Sequence, residues 1–255
     1  MWRYPWVRNG QAFRQILEPI VALTVAPNGG NPDKIPNEDS LVVEFDETSL
    51  FDPSRFPGED RVEGGQHVAY GLRAQILGNG SGGGSATAIV GQSIQLQKNG
   101  PFDKTTGLRG RFSDIVGKLV IAPNKNLDFV YKTRFDPDAF RAQRSEVLMR
   151  AGPPALRLDV DYVFFDKSDE FDKREEITLG LGSQLTERWN ARFELLRDLT
   201  SDGGTLFWGA SLGYVCDCLD LSINFRRDFT SDRDVKPEDS IFVRVKLKNL
   251  GAVGE

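Results

Sequence analysis

The chain has 255 residues, of which 39% are hydrophobic and 27% are charged, and its formal net charge is -5. This acidic balance excludes nucleic acid as the main partner, because binding to phosphates requires clustered positive charge. Apolar residues nowhere form the run of about eighteen that a transmembrane helix needs, whereas a transmembrane barrel is allowed because its apolar residues occupy every second position.

Hydrophobic and polar residues alternate along most of the chain, a period that predicts β-strands rather than helices. In chain order the pattern predicts about twelve strands, at 14–25, 65–77, 85–97, 113–121, 126–136, 140–150, 155–166, 174–183, 187–198, 205–215, 218–229 and 239–249. Each is about ten residues long, the length of a tilted strand that crosses a bilayer. The expected fold class is all-β, a portion of an antiparallel, up-and-down transmembrane β-barrel.

The connections between these strands form two alternating sets. One set is uniformly short, at 78–84, 122–125, 151–154, 184–186 and 216–217. The other set contains both long connections, 26–64 and 98–112, and one tight exception at 137–139. Outer-membrane barrels have short periplasmic turns and longer external loops, so this asymmetry predicts that the end of the chain is periplasmic.

A soluble β-sandwich or a lipocalin-like barrel has the same alternation, because a period of two does not distinguish the inward face from the outward face. The long strands, and polar faces that mix both charge signs with Gly and Ser, favour the membrane form with a wet lumen. The strands then close a barrel or form one arc of a larger one. The lumen-facing candidates are Arg157, Asp159, Arg188, Arg192, Arg226, Arg244 and Lys246.

Residues 26–64 form an unusually long connection, which predicts either a functional loop or a disordered one. Between Asp33 and Glu63 there are ten acidic and three basic residues, with three phenylalanines spaced among them. Two interpretations stay open: a loop that folds against the lumen or closes its mouth, and an ordinary solvated loop. Cation binding lacks the support of an EF-hand spacing. The candidates for the folded form are Asn37, Glu38, Asp39, Phe51, Arg55, Asp60 and Arg61.

Motifs for catalysis are weak, so we expect no enzyme, no cofactor and no metal. His67 is the only histidine, which excludes a multi-histidine metal site, and no nucleophile-elbow motif is present. The run GNGSGGGS at 78–85 lacks the lysine of a phosphate loop and predicts a flexible turn.

Cys216 and Cys218 are the two cysteines and are separated by one residue. Side chains at i and i+2 of a strand share a face, and a bridge between them is geometrically awkward. On an oxidising side of the membrane each thiol is expected to form a disulfide bond with a cysteine other than its neighbour. The pair also fits two small hydrophobic residues at a turn, and its spacing differs from that of a CxxC redox motif.

Four runs carry a family resemblance: ILEPIVALTVAPN, IPNEDSLVVEFDETSLF, RFPGEDRVEGGQHVAYGLR and the C-terminal LDLSINFRRDFTSDRDVKPEDSIFVRVKLKNLG. They resemble the barrel of the LptD family (also called OstA or Imp), the lipopolysaccharide-assembly proteins of the Gram-negative outer membrane. The resemblance extends from about residue 13 to Gly251, and the segments NEDS, RFPG and KLKNLG are specific in combination.

The resemblance implies a very large barrel that follows a periplasmic jellyroll, with an LptE-like lipoprotein as a plug. Lipopolysaccharide would arrive over an LptA-like periplasmic bridge through that jellyroll, its lipid entering the outer membrane and its sugars passing through the lumen. The basic side chains of the lumen would either pair with phosphate groups of the sugar part or only keep the lumen hydrated. A lateral seam would open beside the last strand, at Ile241, Val243, Val245 and Leu247.

Cys216 and Cys218 would match the cysteine pair that bridges to the family's N-terminal domain, with a spacer in place of the adjacent arrangement of some members. The resemblance leads us to expect that the jellyroll, a signal peptide and the first barrel strands are not represented in 1–255. We therefore expect a single C-terminal barrel segment that does not function by itself. The alternatives to lipopolysaccharide export are a passive diffusion porin, a soluble carbohydrate-binding β-domain and, more distantly, an outer-membrane hydrolase.

Overall fold

The computed structural model describes residues 1–27, 31, 34, 36–40, 43–80, 83–97, 102, 106–108, 110–167, 172–231, 236–248 and 251–253. Within these residues the chain is all-β, and hydrogen-bonded strands follow one another in chain order from β3 onwards. No helix in this part of the chain is long and apolar enough to cross a membrane, a finding that concerns helices alone.

The described residues form fifteen strands. They are β1 (Trp2–Arg3), β2 (Trp6–Asn9), β3 (Phe13–Ala26), β4 (Gly65–Gly78), β5 (Ser85–Gln95), β6 (Ile115–Asn124), β7 (Leu127–Asp136), β8 (Arg141–Ala151), β9 (Arg157–Phe165), β10 (Arg174–Gln184), β11 (Trp189–Asp198), β12 (Thr205–Val215), β13 (Leu219–Asp228), β14 (Glu238–Leu247) and β15 (Gly251–Val253).

The predicted all-β, antiparallel, up-and-down class is confirmed, and the twelve predicted segments correspond to β3–β14. The strand count was too low, because β1, β2 and β15 were not predicted. β1 and β2 both pair with β3, on either side of Pro5, which interrupts the alternation. β15 has only three residues, too few to show a period, and pairs with the end of β14.

The chain divides into two compact units. The first unit comprises Met1–Lys125, Val130–Glu146 and Phe165–Asp172, and the second comprises Asn126–Phe129, Val147–Phe164 and Lys173–Glu255. Each unit contains an antiparallel ladder, β1–β6 in the first and β10–β15 in the second.

The ladder of the first unit has one buried face and one exposed face. Along the buried face Ile20 pairs with Gly71, Gly71 with Gly91, and Gly91 with Val116. The opposite face carries exposed apolar side chains, at Leu17, Val21, Leu23, Val25, Leu72, Ile76 and Val90. An ordinary soluble domain buries such side chains, whereas in this ladder large aliphatic side chains stand exposed on the face opposite the buried one.

The ladder of the second unit separates apolar from polar residues by face. One row across the strands is Phe193, Ala210, Phe225 and Ile241, and another is Ala191, Leu212, Ile223 and Val243. On the other face the rows are Glu194, Gly209, Arg226 and Ser240, and Asn190, Gly213, Ser222 and Arg244. A soluble sandwich would bury the apolar face, but Leu158, Phe193 and Val243 are 38%, 42% and 57% exposed.

Candidate functional site

The acidic connection folds onto the buried face of the first unit. We call residues 36–40 and 43–64 the inner segment. Leu50 is fully buried against Gly91, where a Cβ atom would lie 2.4 Å from the Leu50 Cδ2 atom. At Gly71 a Cβ atom would lie 3.0 Å from the Phe51 Cζ atom and 2.8 Å from the Val90 carbonyl oxygen. The two glycines therefore leave the space in which the inner segment contacts the sheet.

A small hydrophobic core lies between the inner segment, the sheet and the second long connection, 96–114. Phe45 and Leu50 belong to the inner segment, while Phe102 and Leu108 come from the second connection. The sheet contributes the small residues Ala22, Ala69 and Val116. Burying these side chains stabilises the assembly by roughly 25 cal/mol for each Å² of apolar surface. The two long connections are thus packed together, as a solvated loop would not be.

The motifs NEDS and RFPGED of the inner segment bind each other through two aspartates. Asp39 accepts the backbone N–H groups of Glu59, at 2.9 Å, and Asp60, at 3.1 Å. Asp60 in turn accepts the N–H groups of Glu38, at 2.8 Å, and Asp39, at 3.2 Å. These hydrogen bonds favour the charged carboxylate, and the backbone bonds from Glu59 and Asp60 are the main reason that the pKa of Asp39 falls to about 2.

Two other predicted residues of the inner segment make local hydrogen bonds beside this contact. Asn37 accepts the backbone N–H of Ser40 at 3.1 Å, and Arg61 donates to the carbonyl oxygen of Asp60 at 3.0 Å. Asp33, which belongs to the same acidic run, lies outside the described residues.

An ion pair with almost no exposed surface fixes the other half of the inner segment. The Arg55 side chain is 0% exposed and the Glu63 side chain is 3% exposed. Arg55 Nε donates to Glu63 Oε2 at 2.8 Å, and a second guanidinium nitrogen donates to Glu63 Oε1. Removing one partner of a buried ion pair typically costs about 3–5 kcal/mol, because the other charge stays buried without compensation.

Further ion pairs surround the inner segment in the first unit. Glu47 Oε1 lies 3.1 Å from Lys118 Nζ, and Glu44 contacts Arg144. Asp114, in the second connection, lies 3.4 Å from Arg134 Nε. Burial nevertheless raises the pKa of Asp114 to about 6, since loss of water outweighs the attraction of Arg134.

Four of the predicted lumen residues lie on the polar face of the second unit, as the pairing of β11–β14 shows: Arg192, Arg226, Arg244 and Lys246. Arg192 Nη1 lies 3.4 Å from Asp159 Oδ2, and Arg226 Nη2 lies 2.8 Å from Asp228 Oδ1. Arg244 pairs across the strands with Ser222, and Lys246 with Asp220. Arg157 lies on β9, and Arg188 precedes the first residue of β11.

The predicted seam residues lie on the apolar face of the second unit. Ile241, Val243, Val245 and Leu247 all belong to β14, and their side chains share one face with Phe225. The Trp208 ring packs against Phe225 at 4.9 Å and Phe193 at 6.2 Å between centroids. The sequence predicted that β14 would be the last strand. This prediction is wrong, because β15 follows β14 and pairs with Val245–Leu247.

Both cysteines are free thiols in the short connection between β12 and β13. Their Sγ atoms are 3.5 Å apart. Hydrogen bonds from the Cys218 backbone N–H and thiol lower the pKa of Cys216, and the same contact raises the pKa of Cys218. Cys216 is therefore the more acidic thiol of the two.

Sequence reasoning missed several residues that build this site. Glu63 was counted only as one of many acids, and Leu50, Phe102 and Leu108 were not singled out. Their partners are distant in sequence, and the second connection has no periodic pattern. The close contact at Gly71 and Gly91 could have been predicted from the sequence, since isolated glycines inside strands often mark close contact with another segment. In the described part of the chain, no group of three or more His, Cys, Asp or Glu side chains is arranged to hold a metal ion.

Comparison with known proteins gives the family context. A family model described as LptD, LPS transport system D, matches residues 1–189. The LPS-assembly protein LptD of Coxiella burnetii is 23% identical over 270 residues, which cover 96% of this chain and 31% of that protein. The LptD of Hahella chejuensis is 23% identical, with the same coverage of both chains. The LptD of Nitrosospira multiformis is 29% identical over 96% of this chain and 26% of that protein. The chain spans about a third of the length of most of these relatives.

Proposed function

The chain belongs to the LptD family, and from this premise we propose that it is a C-terminal portion of the barrel of a protein that delivers lipopolysaccharide to the outer leaflet of the Gram-negative outer membrane. Relatives named LPS-assembly protein LptD match 96% of the chain. The proposed activity is transport and assembly, with no bond broken, so that no catalytic residue is required. The family match is the observation that carries this proposal.

The two-faced ladders support a role in the membrane. Aliphatic and aromatic side chains stand exposed on one face, with Phe193, Ile241 and Val243 as examples. Exposed apolar patches of this kind are stable in contact with lipid and unfavourable in water. We assign this face to the bilayer and the face of Arg192, Arg226 and Arg244 to a watery lumen.

The polar face has the chemistry for the sugar part of lipopolysaccharide. Arginine and lysine side chains alternate there with acids, serine and asparagine, so hydroxyl groups and phosphates both find partners. The lipid part would leave through a lateral seam beside β14. Because the described residues of β15 pair with Val245–Leu247, the seam would lie along the earlier residues of β14, at Ile241 and Val243.

The inner segment is proposed to close part of the lumen. It covers the buried face of β3–β6, and its core and ion pairs are those of a folded structure, which supports a fixed plug over a solvated loop. An LptE-like lipoprotein would fill the remaining lumen, and an LptA-like bridge would deliver substrate through a jellyroll outside this chain. Cys216 and Cys218 would bond to that N-terminal part.

A passive diffusion porin is not favoured, because the matching relatives are lipopolysaccharide-assembly proteins. The test is depletion of the full protein that carries this chain in its native host, followed by labelling of newly made lipopolysaccharide at the cell surface. We expect surface lipopolysaccharide to fall on depletion and to return with the intact gene. Normal export after depletion, together with the loss of a bilayer conductance, would instead identify a porin.

A further inference from the structure

We propose that Arg55 is the positioning residue of a composite plug, in which both long connections are fixed to the sheet through one buried guanidinium. The composite plug comprises 43–64 of the inner segment and the described residues of 96–114. This inference rests on the proposed function of the inner segment as a plug, and it states which side chain holds the plug in place.

Within its own segment Arg55 is bound twice to the same carboxylate. Its guanidinium contacts both oxygens of Glu63, and its backbone N–H donates to Glu63 Oε2 at 3.1 Å. Glu63 lies eight positions after Arg55, so this contact closes the end of the inner segment that runs into β4.

Two contacts join this pair to the sheet. Arg55 Nη1 donates to Ser93 Oγ on β5 at 3.1 Å. Glu63 Oε1 lies 3.4 Å from Nδ1 of His67 on β4. Ser93 and His67 are buried on the face that carries Gly71 and Gly91, so the ion pair lies directly on the sheet.

Aromatic contacts join the same guanidinium to the second connection. Its central carbon lies 5.4 Å from the ring centroid of Phe102 and 5.9 Å from that of Phe45. Phe102 also stacks on Phe56 at 5.0 Å between centroids. Such cation–π contacts are strongest where water is excluded, as it is around this fully buried side chain.

Arginine is required at this point because it meets three elements at once. Its planar fork binds Glu63 through two nitrogens, keeps a third for Ser93, and offers its face to the rings, whereas a lysine ammonium lacks both the fork and the flat face. The two connections are therefore expected to move as one body. Any opening of this part of the lumen would displace both connections together, because Arg55 contacts each of them.

The first test is hydrogen exchange of the full protein in lipid nanodiscs. Arg55→Lys is compared with Arg61→Lys, a half-buried arginine of the same segment that donates to the Asp60 carbonyl oxygen. We expect Arg55→Lys to raise exchange at least tenfold in both 44–52 and 106–114, and Arg61→Lys to change neither. An Arg55→Lys protein that loosens only one connection, or neither, overturns the proposal.

The second test measures function in cells, as entry of a large hydrophilic glycopeptide and as surface lipopolysaccharide. Arg55→Lys is expected to raise glycopeptide entry while surface lipopolysaccharide stays at the wild-type level, a split that general misfolding would not produce. If Arg55→Lys fails to assemble, Glu63→Gln is used with the exposed Glu59→Gln as its control. Unchanged entry in Glu63→Gln then counts against the proposal, and raised entry in that variant alone supports it.

Deletion of 43–64 separates this inference from the proposed function beneath it. If the deletion leaves glycopeptide entry unchanged, the plug function itself is wrong. If the deletion raises entry but neither Arg55→Lys nor Glu63→Gln does, the plug function stands and the role of Arg55 is wrong.

Discussion

Substituting Gly91 by alanine is expected to push the inner segment off the sheet. The added Cβ atom would lie 2.4 Å from Leu50 Cδ2 and 2.6 Å from the carbonyl oxygen of Tyr70. Leu50 is fully buried and the Tyr70 oxygen belongs to the paired backbone, so neither has free space to move into. Overpacking of this kind typically costs about 1–3 kcal/mol of stability.

Gly117 provides the matched control for this substitution. Gly117 lies on β6, directly after Val116, the cross-strand partner of Gly91. A Cβ atom at Gly117 meets nothing closer than the Ile89 carbonyl oxygen at 3.5 Å, an ordinary contact. The assay is the temperature at which the full protein loses its compact, heat-modifiable gel mobility. For a chain of this size a loss of 1 kcal/mol corresponds to about 2–4 °C. Equal transition temperatures for Gly91→Ala and Gly117→Ala would refute the packing of Leu50 on Gly91.

Two further predictions concern titratable groups in the connections. Asp39 has a lowered pKa in the folded state, so its stabilising contribution is fully present above pH 3.8 and is lost as the pH falls towards about 2. The protection of the Glu59 and Asp60 amides against hydrogen exchange, relative to the intrinsic rate at each pH, should therefore fall over that range, and Asp39→Asn should make this protection independent of pH; constant protection in the unmodified protein would contradict this. In the reduced protein, Cys216 should be alkylated faster than Cys218 near neutral pH, because its pKa is lowered and that of Cys218 is raised. Peptide mapping after brief alkylation measures the order, and prior reaction of Cys218 would show that the assignment is reversed.

The strands could be predicted from sequence because their information is local. Alternation with a period of two survives in each of the long strands, including β9 with Leu158, Val160 and Tyr162. The same alternation does not identify which face meets solvent, and only the exposure of Leu158 and Phe193 distinguishes the observed ladder from a soluble sandwich. The short β1 and β2 were missed because Pro5 breaks the pattern between them.

The inner segment could be predicted only in part. Its length and its spaced phenylalanines allowed a folded loop as one of two open interpretations, and the residues chosen for the folded form include Asp39, Asp60 and Arg55. Their partners were not predictable, because the contacts span long separations: 21 residues from Asp39 to Asp60 and 38 from Arg55 to Ser93. Contacts of that kind depend on the register of the sheet, which a single sequence does not specify.

We propose that the apolar face of the second unit meets lipid and that its polar face meets water. Ile223 and Asn224 are consecutive residues of β13 that lie on opposite faces. Nitroxide spin labels placed at each position, in protein with Cys216 and Cys218 replaced by serine, report collisions with oxygen from the lipid and with a nickel complex from the water. We predict that the label at 223 collides with oxygen and the label at 224 with nickel. The opposite pattern, or nickel access at both positions, would contradict the membrane barrel and the export function built on it.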